Sequence, residues 1–124
     1  MNAAPDTVSV VICCYSGERL GDLLDAVDSV QGQTRPATEI AVVVDHNPAL
    51  LEHLTAERPE LLIVPNTEPV GLSGARNSGI AATTGEIVAF LDDDAVAEPD
   101  WLEHLMTSRL HVLPAAASEG GGRR

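Results

Sequence analysis

Four short runs of β-branched and other apolar residues, separated by segments with helical periodicity, constrain the fold of this chain most strongly. They are Thr7–Cys14, Glu39–Asp45, Leu61–Pro65 and Glu86–Leu91. Continuous apolar strands are typical of parallel sheets that are covered on both faces. Because a helix-length segment follows each run, the pattern predicts an α/β domain with a doubly wound, mostly parallel sheet of about four strands and alternating helices.

The connecting segments carry helical signals of different strength. Leucines and valines recur at spacings of three and four from Leu20 to Val30, and Ser16 is positioned to cap this helix. A short helix is predicted from Pro48, and another from about Leu72 to Gly85. A fourth is predicted over Pro99–His111.

The length of 124 residues fits one domain. We expect this domain to cover residues 7–112, after an N-terminal extension at 1–6. The last segment, 113–124, consists mainly of small residues and glycines, and we expect it to be a disordered tail.

The charge balance excludes several classes of function. Nineteen acidic and seven basic residues give a formal net charge of −12. Neither nucleic acid nor an acidic membrane surface is an expected partner, because both bind clustered cations. All seven basic residues are arginines, which excludes mechanisms that need a lysine Schiff base or a phosphate-loop lysine.

The cysteines and the apolar runs suggest a location. Cys13 and Cys14 are adjacent, and neighbouring cysteines form a disulfide only with strain. A reducing cytoplasm is therefore expected. No apolar run approaches the length of a transmembrane segment, and residues 1–6 lack the features of a secretory leader.

Three adjacent carboxylates, Asp92, Asp93 and Asp94, directly follow the fourth apolar run. Adjacent carboxylates repel one another unless a cation neutralises them. Hard divalent ions such as Mg²⁺ or Mn²⁺ prefer oxygen ligands and bridge to phosphates. Side chains alternate in an extended segment, so Asp92 and Asp94 are expected to face one site. The alternative is a solvated acidic turn.

Three other features follow predicted strands, where doubly wound sheets bind ligands. Tyr15 comes after the first strand and either packs against a flat ligand or closes the core. Asp45 ends the second strand; either it accepts hydrogen bonds from a ribose or base, or it or Asn47 caps the next helix. Segment Gly71–Gly79 contains Arg76 near a helix start, which suits a phosphate, although its small residues equally suit close packing of helix on sheet.

Taken in order, three segments resemble the N-terminal half of glycosyltransferase family 2 enzymes. They are VSVVICCYSGERL, EIAVVVDHN and GLSGARNSGIAATTGEIVAFLDDDAVAEPDWL. The resemblance runs from about Val8 to Leu105, and the combination G-x-x-x-A-R-N-x-G, strand and D-x-D is its most specific part. It implies an A-type glycosyltransferase fold, a Rossmann-like sheet that binds a nucleotide-diphosphate sugar, with hexosyltransferase activity and a divalent metal cofactor (Mg or Mn).

The resemblance also implies residue roles. Tyr15 and Asp45 would lie at the nucleotide base, and Arg76 near the nucleotide. Asp92 and Asp94 would form the D-x-D pair, with Asp92 towards the ribose and Asp94 on the metal that bridges the diphosphate. Asp93 would be the variable middle position.

The chain also departs from the family pattern. The family often has Asp-Asp/Asn-Gly-Ser where this chain has Asp45-His46-Asn47-Pro48, so only Asp45 carries over. No acceptor half and no general base are recognised, and the acceptor is unknown, so we expect a truncated fold that carries the donor-binding half only. A fourth strand without a neighbour would favour self-association through the sheet edge.

Two other functions remain open from the residues. One is a catalytically inactive nucleotide-binding remnant or interaction module. The other is an aspartyl-phosphate phosphatase, since Asp92–Val96 superficially fits D-x-D-x-[TV] with Asp92 as nucleophile.

Overall fold

The structure, a computed structural model, describes residues 7–107. Strands and helices alternate in the predicted order, and strand boundaries agree with the predicted ones to within one residue. The elements are β1 (Val8–Cys14), a 3₁₀ turn (Gly17–Arg19), α1 (Leu20–Gln31), β2 (Glu39–Val44), α2 (Pro48–Glu57), β3 (Leu62–Pro65), α3 (Leu72–Ala82), β4 (Ile87–Asp92) and α4 (Trp101–Thr107). The predicted extension at 1–6, the end of the fourth predicted helix and the predicted tail lie outside the described residues.

The four strands form one parallel sheet in the order β3-β2-β1-β4. β1 lies between β2 and β4, and six of its seven residues are buried. This position explains why β1 has a nearly uninterrupted apolar sequence. β4 pairs only with β1 among residues 7–107, so it is an edge strand in the described part of the chain.

Helices cover both faces of the sheet. Side chains alternate along β1, so Val10 and Ile12 face the side on which α1, α2 and α4 pack, and Val11 faces α3 on the other side. The doubly wound architecture is thereby confirmed. None of the helices within 7–107 has the length and apolar character needed to cross a bilayer.

Two predicted helix starts differ from the observed ones. Ser16 caps the 3₁₀ turn that precedes α1, where its hydroxyl accepts a hydrogen bond from the Glu18 backbone N–H at 3.0 Å. α4 begins at Trp101 rather than at Pro99. The reason lies in Gln33, which is buried: its amide donates to the Glu98 carbonyl and its oxygen accepts from the Leu102 N–H, so it holds the preceding segment and caps the helix.

Gly79 allows α3 to approach the sheet closely. A Cβ atom added there would lie 2.5 Å from Val11 Cγ1 and 3.1 Å from Val43 Cγ2, and both valines are fully buried. Because overpacking costs about 1–3 kcal/mol, we expect Gly79→Ala to lower the free energy of unfolding by that amount in urea titrations. Gly21→Ala in α1 is the control: nothing lies within 4 Å of the added Cβ, so a gain of about 0.5–1 kcal/mol is expected. Equal effects of both variants would contradict this packing.

A polar cluster joins the start of β2 to the segment before β4. Glu39 Oε2 accepts hydrogen bonds from Ser9 Oγ at 2.6 Å and from the Thr84 N–H at 2.6 Å. Ser9 Oγ in turn accepts from the Gly85 N–H. Burial by itself raises the pKa of Glu39, but the hydrogen bonds from Ser9 and Thr84 outweigh it and hold the pKa below its usual value.

A carboxyl whose pKa is lowered by folding stabilises the native state above its unfolded pKa, and this contribution is lost as the pH falls through the native pKa. We therefore expect Glu39→Gln to reduce the free energy of unfolding by about 1–3 kcal/mol at pH 7. The difference from the parent chain should shrink below about pH 4. Urea titrations at both pH values measure this difference in the free energy of unfolding. The control is Glu52→Gln, which changes an exposed residue of α2. A difference independent of pH would contradict the role of the charged form.

Candidate functional site

A cavity of about 480 Å³ opens at the carboxyl ends of the strands, beside the neighbouring strands β1 and β4. The chain turns from β1 towards β2 and β3 on one side and returns on the other side as β4. This is the switch point at which doubly wound sheets bind ligands. The volume lies in the range of small-molecule sites. The cavity is lined by Val11, Cys13, Cys14, Tyr15, Arg19, Asp45, Gly71, Leu72, Ala75, Arg76, Phe90, Leu91, Asp92, Asp93 and Asp94.

All five site residues named from the sequence line this one cavity: Tyr15, Asp45, Arg76, Asp92 and Asp94. They come from four separate parts of the chain and meet because parallel strands end at the same edge of the sheet. The Tyr15 side chain is 60% exposed, so it does not close the core, and its ring is accessible from the cavity.

The Asp45 carboxylate organises the wall of the cavity that follows β2. Its Oδ1 accepts a hydrogen bond from Asn66 Nδ2 at 2.8 Å, and its Oδ2 accepts one from the Gly71 N–H at 3.0 Å. The helix-cap alternative for Asp45 is wrong, because Asn47 caps α2 by accepting from the Leu50 N–H at 3.1 Å. Asp45 is therefore fixed in orientation at the cavity.

Asn66, which sequence reasoning missed, holds Asp45 in place. It is buried, and its Oδ1 accepts hydrogen bonds from the Glu68 N–H and from Ser78 Oγ, both at 2.8 Å. Gly71 has a φ of +134°, a conformation that favours glycine, and this brings its N–H to Asp45. Loop 66–71 is thus tied to both β2 and α3.

The segment from Gly71 to Gly79 packs closely on the sheet and also contributes a side chain to the cavity. Gly79 gives close packing of α3 on the sheet, and Arg76 lines the cavity one turn earlier. The Arg76 guanidinium carbon lies 5.3 Å from the centre of the Phe90 ring, within the range of a cation–π interaction. Arg76 therefore places a cationic side chain at the cavity wall, beside Phe90 of β4.

The three aspartates after β4 are not equivalent. Asp92 and Asp94 are exposed, whereas Asp93 is buried. Arg19 Nη2 lies 2.8 Å from Asp94 Oδ2 and 3.4 Å from Asp93 Oδ1. Burial raises the pKa of Asp93 above its usual value, and the Arg19 charge offsets part of this effect. Asp93, expected only as a variable middle position, is thus a structural member of the cavity wall.

Cys13 and Cys14 are both free thiols at the cavity wall. Burial raises the pKa of each thiol to about 12. Since the thiolate is the nucleophile, neither cysteine is suited to nucleophilic chemistry at neutral pH.

Within residues 7–107, no group of three or more His, Cys, Asp or Glu side chains is arranged to hold a metal ion. Asp92 and Asp94 nevertheless form an exposed carboxylate pair at the cavity. Mg²⁺ is commonly bound by one or two carboxylates together with substrate phosphates, without a complete cage of protein ligands. The donor set therefore fits an ion that arrives with a phosphorylated ligand.

The family model for glycosyl transferase family 2 matches residues 9–108 of the chain. The chain belongs to glycosyltransferase family 2. This match covers the whole cavity wall, and it decides against a phosphatase interpretation of Asp92–Asp94.

Relatives with known names agree with family 2 membership. The chain is 38% identical over 117 residues to the glucosyl-dolichyl phosphate glucuronosyltransferase of Haloferax volcanii, covering 92% of this chain and 37% of that protein. It is 34% identical over 103 residues to glycosyltransferase AglE of the same organism, covering 77% and 33%. The chain thus spans about a third of the length of these family 2 relatives.

Solved structures confirm the predicted A-type glycosyltransferase fold. The crystal structure of S. aureus TarS 1–349 in complex with UDP-GlcNAc has a TM-score of 0.66 to this chain at 22% identity, covering 85% of this chain and 32% of that one. A second TarS 1–349 crystal structure gives 0.64. The chain therefore corresponds in fold to about a third of the TarS 1–349 chain.

Arg19 and Asn66 are the site residues that sequence reasoning missed. Arg19 follows β1, whereas its partners Asp93 and Asp94 follow β4. Asp94 lies 75 positions after Arg19 in the chain. The feature that would have pointed to Arg19 is the adjacency of β1 and β4 in the sheet. This adjacency is known only once the strand order is known. Asn66 lies in a turn-rich segment, where the sequence marks a loop and not a buried anchor.

Proposed function

We propose that this chain carries the donor site of a glycosyltransferase that transfers a sugar from a nucleotide-diphosphate sugar to an acceptor still to be identified. The observation that supports this most strongly is the cavity at the switch point, where Asp45, Arg76 and Asp92–Asp94 converge. An open pocket of this volume accommodates a nucleotide-sized ligand.

The comparisons support the chemical class of the donor. TarS 1–349 was crystallised with UDP-GlcNAc, and the Haloferax relative is named a glucuronosyltransferase. Both names concern sugar nucleotides or sugar transfer. The inference that this cavity takes a nucleotide-diphosphate sugar rests on family membership together with the cavity chemistry.

The base is proposed to lie along the β1–β2 side of the cavity. Tyr15 offers an exposed aromatic ring for contact with a flat base. Asp45 offers carboxylate oxygens held by Asn66 and Gly71, and such a preset acceptor suits base or ribose donors. Arg76, on α3, is proposed to lie beside the nucleotide, where its forked donors suit phosphate oxygens.

Asp92 and Asp94 are proposed to bind the ribose and a divalent metal, with Asp94 as the main metal ligand. Such an ion supplies Lewis-acid stabilisation to the nucleoside diphosphate leaving group. The protein contributes two exposed carboxylates, one on each side of the buried Asp93 in the chain, and all three residues line the cavity. The general base for the acceptor is not assigned to any residue of this chain.

Two secondary expectations belong to the same proposal. A cytoplasmic location is supported by the two free, adjacent cysteines. Self-association through β4 is supported by its edge position within the described residues, because an unpaired strand edge invites pairing with another chain. Size-exclusion chromatography tests the second: a concentration-dependent dimer is expected, and a monomer at all concentrations would contradict it.

Saturation-transfer difference NMR with UDP-, GDP- and dTDP-sugars in the presence of Mg²⁺ tests the proposed function. Magnetisation should reach the base and ribose protons of at least one donor, and the matching free nucleoside diphosphate should compete for the site. Absence of transfer to every donor would refute it. Binding of a nucleoside diphosphate without any discrimination for the attached sugar would favour an inactive nucleotide-binding module.

A further inference from the structure

Arg19 connects the two strands that border the switch point. It is the last residue of the 3₁₀ turn after β1, and it lines the cavity. Its Nη2 atom makes a 2.8 Å hydrogen-bonded ion pair with Asp94 Oδ2 and lies 3.4 Å from Asp93 Oδ1. The carboxylate proposed as the main metal ligand is therefore already held by a cation of the protein itself.

A guanidinium and a divalent ion cannot both occupy this side of Asp94 without strong repulsion between their charges. Arg19 pairs with Asp94 Oδ2, one of the two oxygens through which this carboxylate could bind an ion. The Arg19 side chain is 36% exposed and that of Asp94 is 53% exposed, so neither is locked by packing. Exposed ion pairs are weak, which makes the contact suited to displacement by a ligand.

We propose that Arg19 and a divalent cation compete for Asp94, and that the displaced guanidinium binds the diphosphate of the donor. The inference rests on the proposed function and adds a residue to it. Arg19 neutralises the aspartates when the site holds no ion. Its planar fork of N–H donors matches phosphate oxygens, so the same side chain gains a new partner once Asp94 is taken by the metal.

This exchange predicts opposite effects of one substitution on two ligands. In Arg19→Gln, Mn²⁺ alone should bind about threefold to tenfold more tightly, because a competing and repelling charge is gone. UDP, GDP or dTDP at saturating Mn²⁺ should bind about threefold to tenfold more weakly, because a phosphate contact is lost. A purely structural role for Arg19 would weaken both ligands together.

Electron paramagnetic resonance of free Mn²⁺ measures the first effect on the full chain without nucleotide, and calorimetry measures the second. Arg58→Gln is the matched control, because it removes the same charge and an ion pair, with Glu60, outside the cavity. Both affinities should be unchanged in this variant. Asp94→Asn should bind Mn²⁺ weakly whether or not Arg19 is present.

The outcomes separate this inference from the proposed function. Equal or weaker Mn²⁺ binding by Arg19→Gln overturns the competition, even if nucleotides bind normally to the parent chain. Undetectable Mn²⁺ binding by both chains also overturns it. Tighter Mn²⁺ binding without any nucleotide binding would retain the competition at Asp94 but refute the donor site and the diphosphate contact.

Discussion

With Asp94 replaced by asparagine, Mn²⁺ should no longer strengthen the binding of nucleoside diphosphates. Asparagine preserves the size of the side chain but removes the charge that a hard divalent ion needs. Losing even a hydrogen-bond partner of a metal ligand costs about 10–100-fold in metal affinity, so loss of the ligand itself should cost more than about 100-fold. Calorimetric titration of nucleotide with and without Mn²⁺ measures the effect.

The fold should tolerate the change, because the Asp94 side chain is 53% exposed. We expect a change in the free energy of unfolding within about 0.5 kcal/mol. Asp25→Asn, which alters an exposed carboxylate of α1 outside the cavity, is the matched control and should retain the full effect of Mn²⁺. If Asp94→Asn kept the Mn²⁺ dependence of the parent chain, the assignment of Asp94 to the metal would be wrong.

Asp45→Asn should produce a different and equally large effect. An amide at this position presents an N–H₂ group to either Asn66 Nδ2 or the Gly71 N–H, both of which already donate to Asp45. One buried or half-buried donor is then left without an acceptor, at a cost of about 1–3 kcal/mol. The free energy of unfolding should fall by that amount, and loop 66–71 should lose its fixed position.

Nucleotide affinity should fall by more than about tenfold in the same variant, because tenfold corresponds to only about 1.4 kcal/mol. This loss should be the same with and without Mn²⁺, in contrast to the loss in Asp94→Asn. Urea denaturation and calorimetry separate the two contributions. A variant that loses stability but binds nucleotide normally would show that Asp45 shapes the loop without contacting the ligand.

The sequence predicts the α/β architecture well because β1, β2 and β4 are buried along most of their length. β1 and β2 are nearly continuous apolar runs, and such runs have few alternatives in a chain of this length. Boundaries at Cys14 and Pro65 coincide with the predicted ones. The start of α4 was less predictable, since it depends on hydrogen bonds from Gln33, a residue 69 positions away from Leu102.

Five of the residues that line the cavity were predictable, whereas Arg19, Asn66 and the contacts within the site were not. Carboxylates after β2 and β4 are local signals, and the sheet topology brings them to one cavity. The ion pair of Arg19 with Asp94 depends on strand order, which local patterns do not encode. For Asp45, the sequence allowed two local roles, and the position of Pro48 at the first turn of α2 left Asn47 as its cap.

The most direct test of the donor site is calorimetric titration of the chain with UDP, GDP and dTDP, each with and without Mn²⁺. We expect at least one of the three to bind measurably, with an affinity that rises when Mn²⁺ is present. The rise should be absent in Asp94→Asn and retained in Asp25→Asn. Failure of all three nucleotides to bind in the presence of Mn²⁺ would contradict a nucleotide-sugar site at the β1–β4 switch point.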